Sequence, residues 1–193
     1  RSNDRKMSLK WLWLLAKKYP GSNEGNDAVE SLIPLYKKDK KGLAAAAKEL
    51  LKIPAYSRGK MGRKLRDLAE GLELDNIMAM KNRGKRGTAL EARYKKNPRG
   101  KDSDKLIYNA AGDYLSAGMI APAIAAYTIV NRKHPKSVGS KDAMIQLAKL
   151  NENRMELGIA ATYYLQYSKK FPKDKFGPGS LAKACQLQAA LMA

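Results

Sequence analysis

One cysteine, one histidine, two phenylalanines and two tryptophans are spread over 193 residues, and each scarcity removes a class of mechanism. A lone Cys185 excludes an intrachain disulfide framework and a cysteine-based zinc site. Lying in an alanine-rich stretch, it reads as a small helix-packing residue. A lone His134 excludes a histidine metal cluster, and any Ser-His-Asp triad would have to use it. It stands between Arg132-Lys133 and Pro135, and reads as a structural residue at a helix end. The sequence holds no HExxH, no Walker-type phosphate loop and no dinucleotide fingerprint. Glu70 with Glu73, and Asp102 with Asp104, lie among Lys and Arg and read as solvated carboxylates. Gly59, Gly62, Gly84 and Gly87 follow no strand, so they read as helix-boundary glycines instead of a phosphate cradle. No catalytic residue, metal ligand or cofactor is therefore assigned, and the expectation is a protein that is not an enzyme.

Long apolar runs are missing too. Trp11 to Ala16 falls far short of the roughly 18 residues that span a bilayer. It runs into Lys17-Lys18 without a small-residue cleavage site, so it is not read as a signal peptide. The first residue is Arg1, from which a processed or truncated chain is expected. Strand-like alternation of Val, Ile and Thr is absent.

What is present points to helices. Apolar residues make up 44% of the chain, which argues against wholesale disorder, and alanine clusters at 44–47 and at 121, 123, 125 and 126 favour closely packed helices. Ile107, Ala110, Ala111, Tyr114 and Leu115 share one face of a helix over 104–117, which Gly118 ends. Ala123, Ile124, Tyr127 and Val130 form a stripe over 120–133, with Pro122 in the first turn, where a missing amide is tolerated. Further helices are predicted over 141–151 and 156–170. A terminal one is predicted over 179–193, with Leu181, Ala184, Cys185, Gln188 and Leu191 as its spacing. Upstream, helices are predicted at 7–18, 27–38, 42–52, 60–74 and 86–96, with Pro34 interrupting the second. Residues 54–64 read as a basic loop entering a helix, and 81–87 as a basic turn.

A shift of 37 residues superposes Ile107 on Met144, Ala111 on Ala148, Ala123 on Ala160, Tyr127 on Tyr164 and Pro135 on Pro172. The same shift upstream puts Pro98 on Pro135. One copy then carries Ala111, Tyr114, Ala123, Tyr127 and Pro135, and the next carries Ala148, Ala160, Tyr164 and Pro172, with Asn151 in place of a bulky residue. This pattern resembles the tetratricopeptide repeat. The resemblance covers 104–174, and the three extra residues per unit suggest a longer inter-repeat loop at Val138 to Ser140. Upstream it weakens: Arg86 lies where a small residue is expected, Leu90 replaces the aromatic, and Ala45 takes the small crossing role between Asn26 and Ile53.

The resemblance implies an all-α superhelix of antiparallel helix pairs. Residues 1–193 are read as one solenoid, with clear repeats at 104–137 and 141–174, divergent units over 1–100 and a terminal helix. Helix ends such as KKYP, KKNP and KKFP look most like those of bacterial envelope members of the superfamily, which implies a periplasmic or outer-membrane-associated scaffold, with a cytoplasmic protein as the alternative. First helices of such solenoids line the concave face. Asn109, Asp113, Gln146, Lys149 and Asn153 are the candidates for a groove that takes a partner protein or peptide.

The formal charge is +20, with 25 basic against 11 acidic residues in the first hundred positions. Such a surface attracts an acidic protein, an anionic envelope surface or nucleic acid. Arg58, Lys60, Arg63, Lys64 and Arg66 form one basic block, and Lys81, Arg83, Lys85 and Arg86 form another. The competing readings are a helical-repeat protein that binds nucleic acid through these blocks, and the helical superhelix of a peptidoglycan-acting enzyme.

Overall fold

A computed structural model describes residues 2–36 and 39–192. The fold is all-α. Among the described residues there are eleven helices and no strand: α1 Ser2–Lys18, α2 Asn23–Leu35, α3 Lys40–Leu51, α4 Pro54–Ser57, α5 Gly59–Met78, α6 Arg83–Lys96, α7 Ser103–Ser116, α8 Ile120–Lys133, α9 Val138–Asn153, α10 Leu157–Lys170 and α11 Gly177–Met192. They group into two compact units, Arg1–Ala79 and Met80–Ala193.

The first unit packs α1 against α2, and α3 against α5. Ser22 caps α2 by accepting the amide of Gly25 at 3.1 Å, and Asp39 caps α3 by accepting that of Gly42 at 2.9 Å. Pro34 is tolerated in the last turn of α2, which ends at Leu35; the predicted extension to 37 and 38 lies outside the described residues. The core joins Ala16, Ala28, Val29, Ala47, Leu50, Leu65 and Ala69 around Tyr56, which is fully buried and donates its hydroxyl to the Ala16 carbonyl at 3.0 Å. Residues 54–64 are therefore not the basic loop expected: a turn of helix with Pro54 at its start aims Tyr56 inward, and α5 begins at Gly59. Ala45 is exposed while Ala46 and Ala47 are buried, so the crossing residues lie one and two positions later than expected.

In the second unit each helix packs on the next, from α6 to α11, and α7 also touches α9. The 37-residue period is exact in every second helix. Helices α6, α8 and α10 start and stop at positions 37 apart. Each ends in the same turn, with Pro98, Pro135 and Pro172 in the second position, where a fixed φ suits the turn. The amides of Gly100, Ser137 and Asp174 donate to the carbonyls of Asn97, His134 and Phe171 at 3.1, 2.9 and 3.1 Å. The next helix starts directly after the turn at Val138, and two residues further on at Ser103 and Gly177. Val138 to Ser140 thus form the first turn of α9, not a longer loop. Residues 83–87 likewise open α6 and do not form a basic turn.

Small residues occupy the crossings. Ala111, Ala123, Ala148 and Ala160 are fully buried, with Tyr114, Tyr127 and Tyr164 beside them. Gly87 is not a boundary glycine; a Cβ there would meet the Tyr114 ring at 3.0 Å and the Ala110 carbonyl at 3.1 Å, so α6 and α7 cross at its bare backbone. Gly62 is also inside a helix and buried. The terminal helix departs furthest from expectation. Of Leu181, Ala184, Cys185, Gln188 and Leu191, only Ala184 is buried, so Cys185 is not a packing residue.

Both hairpins between paired helices end in the same cap. Gly118 (φ +72°) and Met155 (φ +60°) lie 37 residues apart. After α7 the amides of Gly118 and Met119 donate to Leu115 and Tyr114; after α9 those of Met155 and Glu156 donate to Glu152 and Asn151. This double closure needs a left-handed residue, which costs a non-glycine side chain about 1 kcal/mol or more. Met155 is 76% exposed and packs little in return. Met155→Gly should therefore raise unfolding free energy by about 1 kcal/mol, read by denaturant titration, and Gly118→Met should lower it by a similar amount. Asp174 gives a pH test. Lys141 and the Tyr167 hydroxyl both donate to its carboxylate, and these bonds hold it well below the usual range. Its contribution to stability is complete above about pH 4, the unfolded value, and is lost as pH falls toward the folded one. Asp174→Asn should be less stable than the parent at pH 7, and the gap should close below pH 4 in paired melts.

Candidate functional site

Side-by-side packing of α7 and α9, with α8 and α10 not comparably close, places the first helices of the pairs on one side of the second unit. Two contacts stitch that side. The Tyr108 hydroxyl on α7 donates to Asp142 on α9, and Lys183 on α11 lies 2.7 Å from Glu152 on α9. Burial beside Asp142 pushes the Tyr108 hydroxyl pKa up, so it stays a donor across the physiological range. Beneath it Tyr127 meets Tyr108 edge to face at 5.9 Å, and its hydroxyl is pushed up to about 12 chiefly by burial. Asn109, Lys149 and Asn153 are exposed on these helices and Gln146 is half-buried. The surface is polar, ordered from below and open.

Asp113 does not belong to it. It is 5% exposed and faces α6, where its oxygens accept from Arg86 Nε at 2.6 Å and Nη2 at 2.5 Å. The period explains the pair. Arg86 occupies the position of Ala123 and Ala160, and Asp113 that of Leu150 and Leu187, all four of them buried. A bidentate ion pair thus stands where the later repeats have a buried alanine and a buried leucine. The bond to Asp113 raises the Arg86 pKa further, so the charge is permanent. Next to it, Tyr114 donates to Glu91 at 2.6 Å, and Lys95 lies 2.7 Å from the same carboxylate. Burial pushes Glu91 up, but the bonds from Lys95 and Tyr114 outweigh it and keep the group ionised.

The basic blocks lie in different units. In the first, Arg58, Lys60 and Arg63 are exposed, Lys64 pairs with Glu30 at 2.8 Å, and Arg66 donates to the Ser57 carbonyl at 2.6 Å. In the second, Lys81, Arg83 and Lys85 are exposed, with Arg83 reaching Ser116 at 3.0 Å, while Arg86 is taken up by Asp113. Dividing the charge by unit relocates the excess. Residues 80–193 carry 21 basic and 8 acidic residues, because the strongly basic stretch 81–101 belongs with the second unit.

A cavity of about 880 Å³ opens between the C-terminal ends of α6 and α8 and the start of α7. Tyr94, Arg99, Ser103, Lys133 and His134 line it. His134 lies 3.2 Å from the Tyr94 hydroxyl with the rings edge to face, and it closes α8 through its own amide, as a helix-end residue does. No group of three His, Cys, Asp or Glu residues able to hold a metal occurs among the described residues. Nor, among them, is any helix long and apolar enough to cross a membrane. No protein-family model matches the chain, and no curated protein is significantly similar to it. The class that the fold itself defines is an all-α protein of stacked antiparallel helix pairs, an α-solenoid arrangement.

The Arg86–Asp113 pair can be dissected. Removing Arg86 alone strands a buried carboxylate, whereas replacing both partners restores the apolar residues of the neighbouring repeats. Arg86→Ala should cost about 3 kcal/mol in denaturant unfolding, while Arg86→Ala with Asp113→Leu should recover most of that loss or exceed the parent.

Proposed function

We propose that the chain is a non-enzymatic interaction scaffold that receives a partner protein or peptide along the polar side of its second unit. The observation that carries this reading is the stitched α7–α9 surface: Tyr108–Asp142 holds the two helices together, and Asn109, Lys149 and Asn153 stand clear of the bond network. Asparagine and glutamine side chains pair with the backbone of an extended segment, and a fixed platform spares the ordering cost of a mobile one. The net charge of +20 makes an acidic partner the one drawn in fastest. The resemblance of the two clear repeats to tetratricopeptide units supports this use of the fold, and the likeness of the helix ends to envelope members extends the proposal to a bacterial periplasmic or outer-membrane-associated complex.

Nucleic acid is the competing ligand, favoured by the exposed Arg58, Lys60, Arg63, Lys81, Arg83 and Lys85. Salt separates the two readings, because phosphate contacts weaken steeply as counterions are restored. The decisive comparison is in-cell photo-cross-linking and co-purification of the parent against Asn109→Ala, Gln146→Ala and Asn153→Ala combined. The scaffold reading expects helicity unchanged and the partner lost at moderate salt. Unchanged recovery removes the surface from consideration, and tight duplex binding that collapses between low and physiological salt replaces the scaffold reading with the phosphate one.

A further inference from the structure

Two copies of the 37-residue unit treat the same corner differently. In the later copy, Lys141 at the start of α9 and Lys170 at the end of α10 both lie over the Phe171 ring, 5.7 and 5.4 Å from its centroid. Lys141 is also paired with Asp174, and Lys170 donates to the Pro135 carbonyl at 3.2 Å. That corner satisfies its cations from within. Subtracting 37 puts Asp104 in the place of Lys141, His134 in that of Phe171 and Ser137 in that of Asp174, and keeps a lysine, Lys133, in that of Lys170.

The earlier corner therefore has a shorter side chain at the head of α7 and a smaller ring at the end of α8, and there the cavity of about 880 Å³ opens. Its cations are unanswered. Arg99 and Lys133 line the cavity, stand exposed, and make no hydrogen bond or ion pair among the described residues. Asp104, the one carboxylate of the lining, pairs with neither. Ser103 lines it too; the residue is 5% exposed, and its hydroxyl has no partner among the described residues. A buried hydroxyl left without a hydrogen bond is costly unless something enters to meet it. The cavity also lies at the head of α7, where Asp102 gives the first-turn amides no side-chain cap. Tyr94, Pro98 and Ile129 add apolar wall, which suits an organic body more than a bare ion. Lys101, Arg132 and Lys136 stand exposed on the flanking turns.

We propose that this cavity binds a phosphate monoester. Two cations, a buried hydroxyl and the amides at a helix start match a dianion with three acceptor oxygens better than a carboxylate with two. The apolar walls take the body of the ester. Asp104 opposes the phosphate charge and keeps the affinity modest, so that the ligand leaves as readily as it enters. A phosphorylated side chain of a partner protein and a free phosphorylated metabolite present the same group, and two probes separate them. None of Asn109, Gln146, Lys149 and Asn153 lines the cavity, so the site stands apart from the scaffold reading.

The full chain is titrated with a short phosphoserine peptide flanked by alanine and glycine, and separately with glycerol 3-phosphate, read by calorimetry and proton NMR. We expect saturable binding with Kd on the order of 100 μM. His134 is the one histidine of the chain, so the imidazole gives a single set of signals. These should shift with the bound probe and stay in place with sodium chloride at equal ionic strength, a readout that needs no variant. Arg99→Ala and Lys133→Ala should each weaken binding by about tenfold, and Asp104→Asn should tighten it several-fold. Lys175→Ala makes the same change in net charge away from the cavity and should leave the affinity unchanged. Tighter binding of the peptide assigns the site to a phosphorylated protein, and tighter binding of glycerol 3-phosphate to a metabolite. No saturation by either probe, stationary imidazole signals, equal binding of the matching glutamate peptide, or an equal loss from Lys175→Ala overturns the proposal. So does a dinucleotide phosphodiester that competes on equal terms, which would give the cavity to nucleic acid. The combined Asn109, Gln146 and Asn153 variant should bind the phosphate probes normally. Its failure on the cellular partner therefore reports on the scaffold surface, and the phosphate titration reports on the cavity.

Discussion

In the second unit, the reversals after α6, α8 and α10 are each made by a proline turn that fixes how the chain re-enters the next helix. Pro98, Pro135 and Pro172 hold φ near the value the turn requires, and one backbone bond closes each turn. The carbonyls of Gly100, Ser137 and Asp174 then accept from Ser103, Ser140 and Gly177, which carries the chain directly into α7, α9 and α11. Ser103, Ser140 and Gly177 are buried, because the new helix starts against the one just ended; at Gly177 a Cβ would lie 2.6 Å from the Phe171 carbonyl. With the turn repeated at equal spacing, the crossings repeat too, and alanine or glycine is needed wherever two backbones meet.

The departures from the period are as informative as the matches. Arginine at position 86, in an alanine site, would wedge the α6–α7 contact apart unless its charge were answered from the facing helix. Asp113 answers it, and Gly87 next door gives back the space. The pair, with Glu91, Tyr114 and Lys95 beside it, makes the first contact of the second unit polar where the next two are apolar. An ion pair of this kind adds little net stability over a buried alanine and leucine, and it commits the two helices to one register.

Charge and its absence divide the surface. The stretch 81–101 and the lysines at 169–175 are strongly basic, while α11 between Leu181 and Met192 carries Lys183 alone. The side built on α7 and α9 is polar and the exposed side of α11 is largely apolar, and the two surfaces differ in their physics. The first offers hydrogen bonds steered by long-range attraction, the second desolvation over a short range.

Helix type and extent were legible in the residues because apolar spacing, proline and glycine act locally. The predicted limits of α8 are the observed ones, and those of α7 and α10 differ by one residue. The all-α class and the 37-residue period followed from the same signals. Three things were not local. Tyr56 turns a basic-looking segment into core, since its hydroxyl finds the Ala16 carbonyl 40 residues away. Asp113 read as a groove residue off the crossing stripe, and only the approach of Arg86 from another helix offsets the cost of burying it. Cys185 and Leu181 have the spacing of packed residues, yet a helix is buried only where a neighbour arrives. Sequence alone determined which residues are helical and which face of each helix is apolar, because backbone propensity and side-chain periodicity belong to the segment. Which of those faces is covered, and by what, was decided by tertiary structure, because burial belongs to pairs of segments.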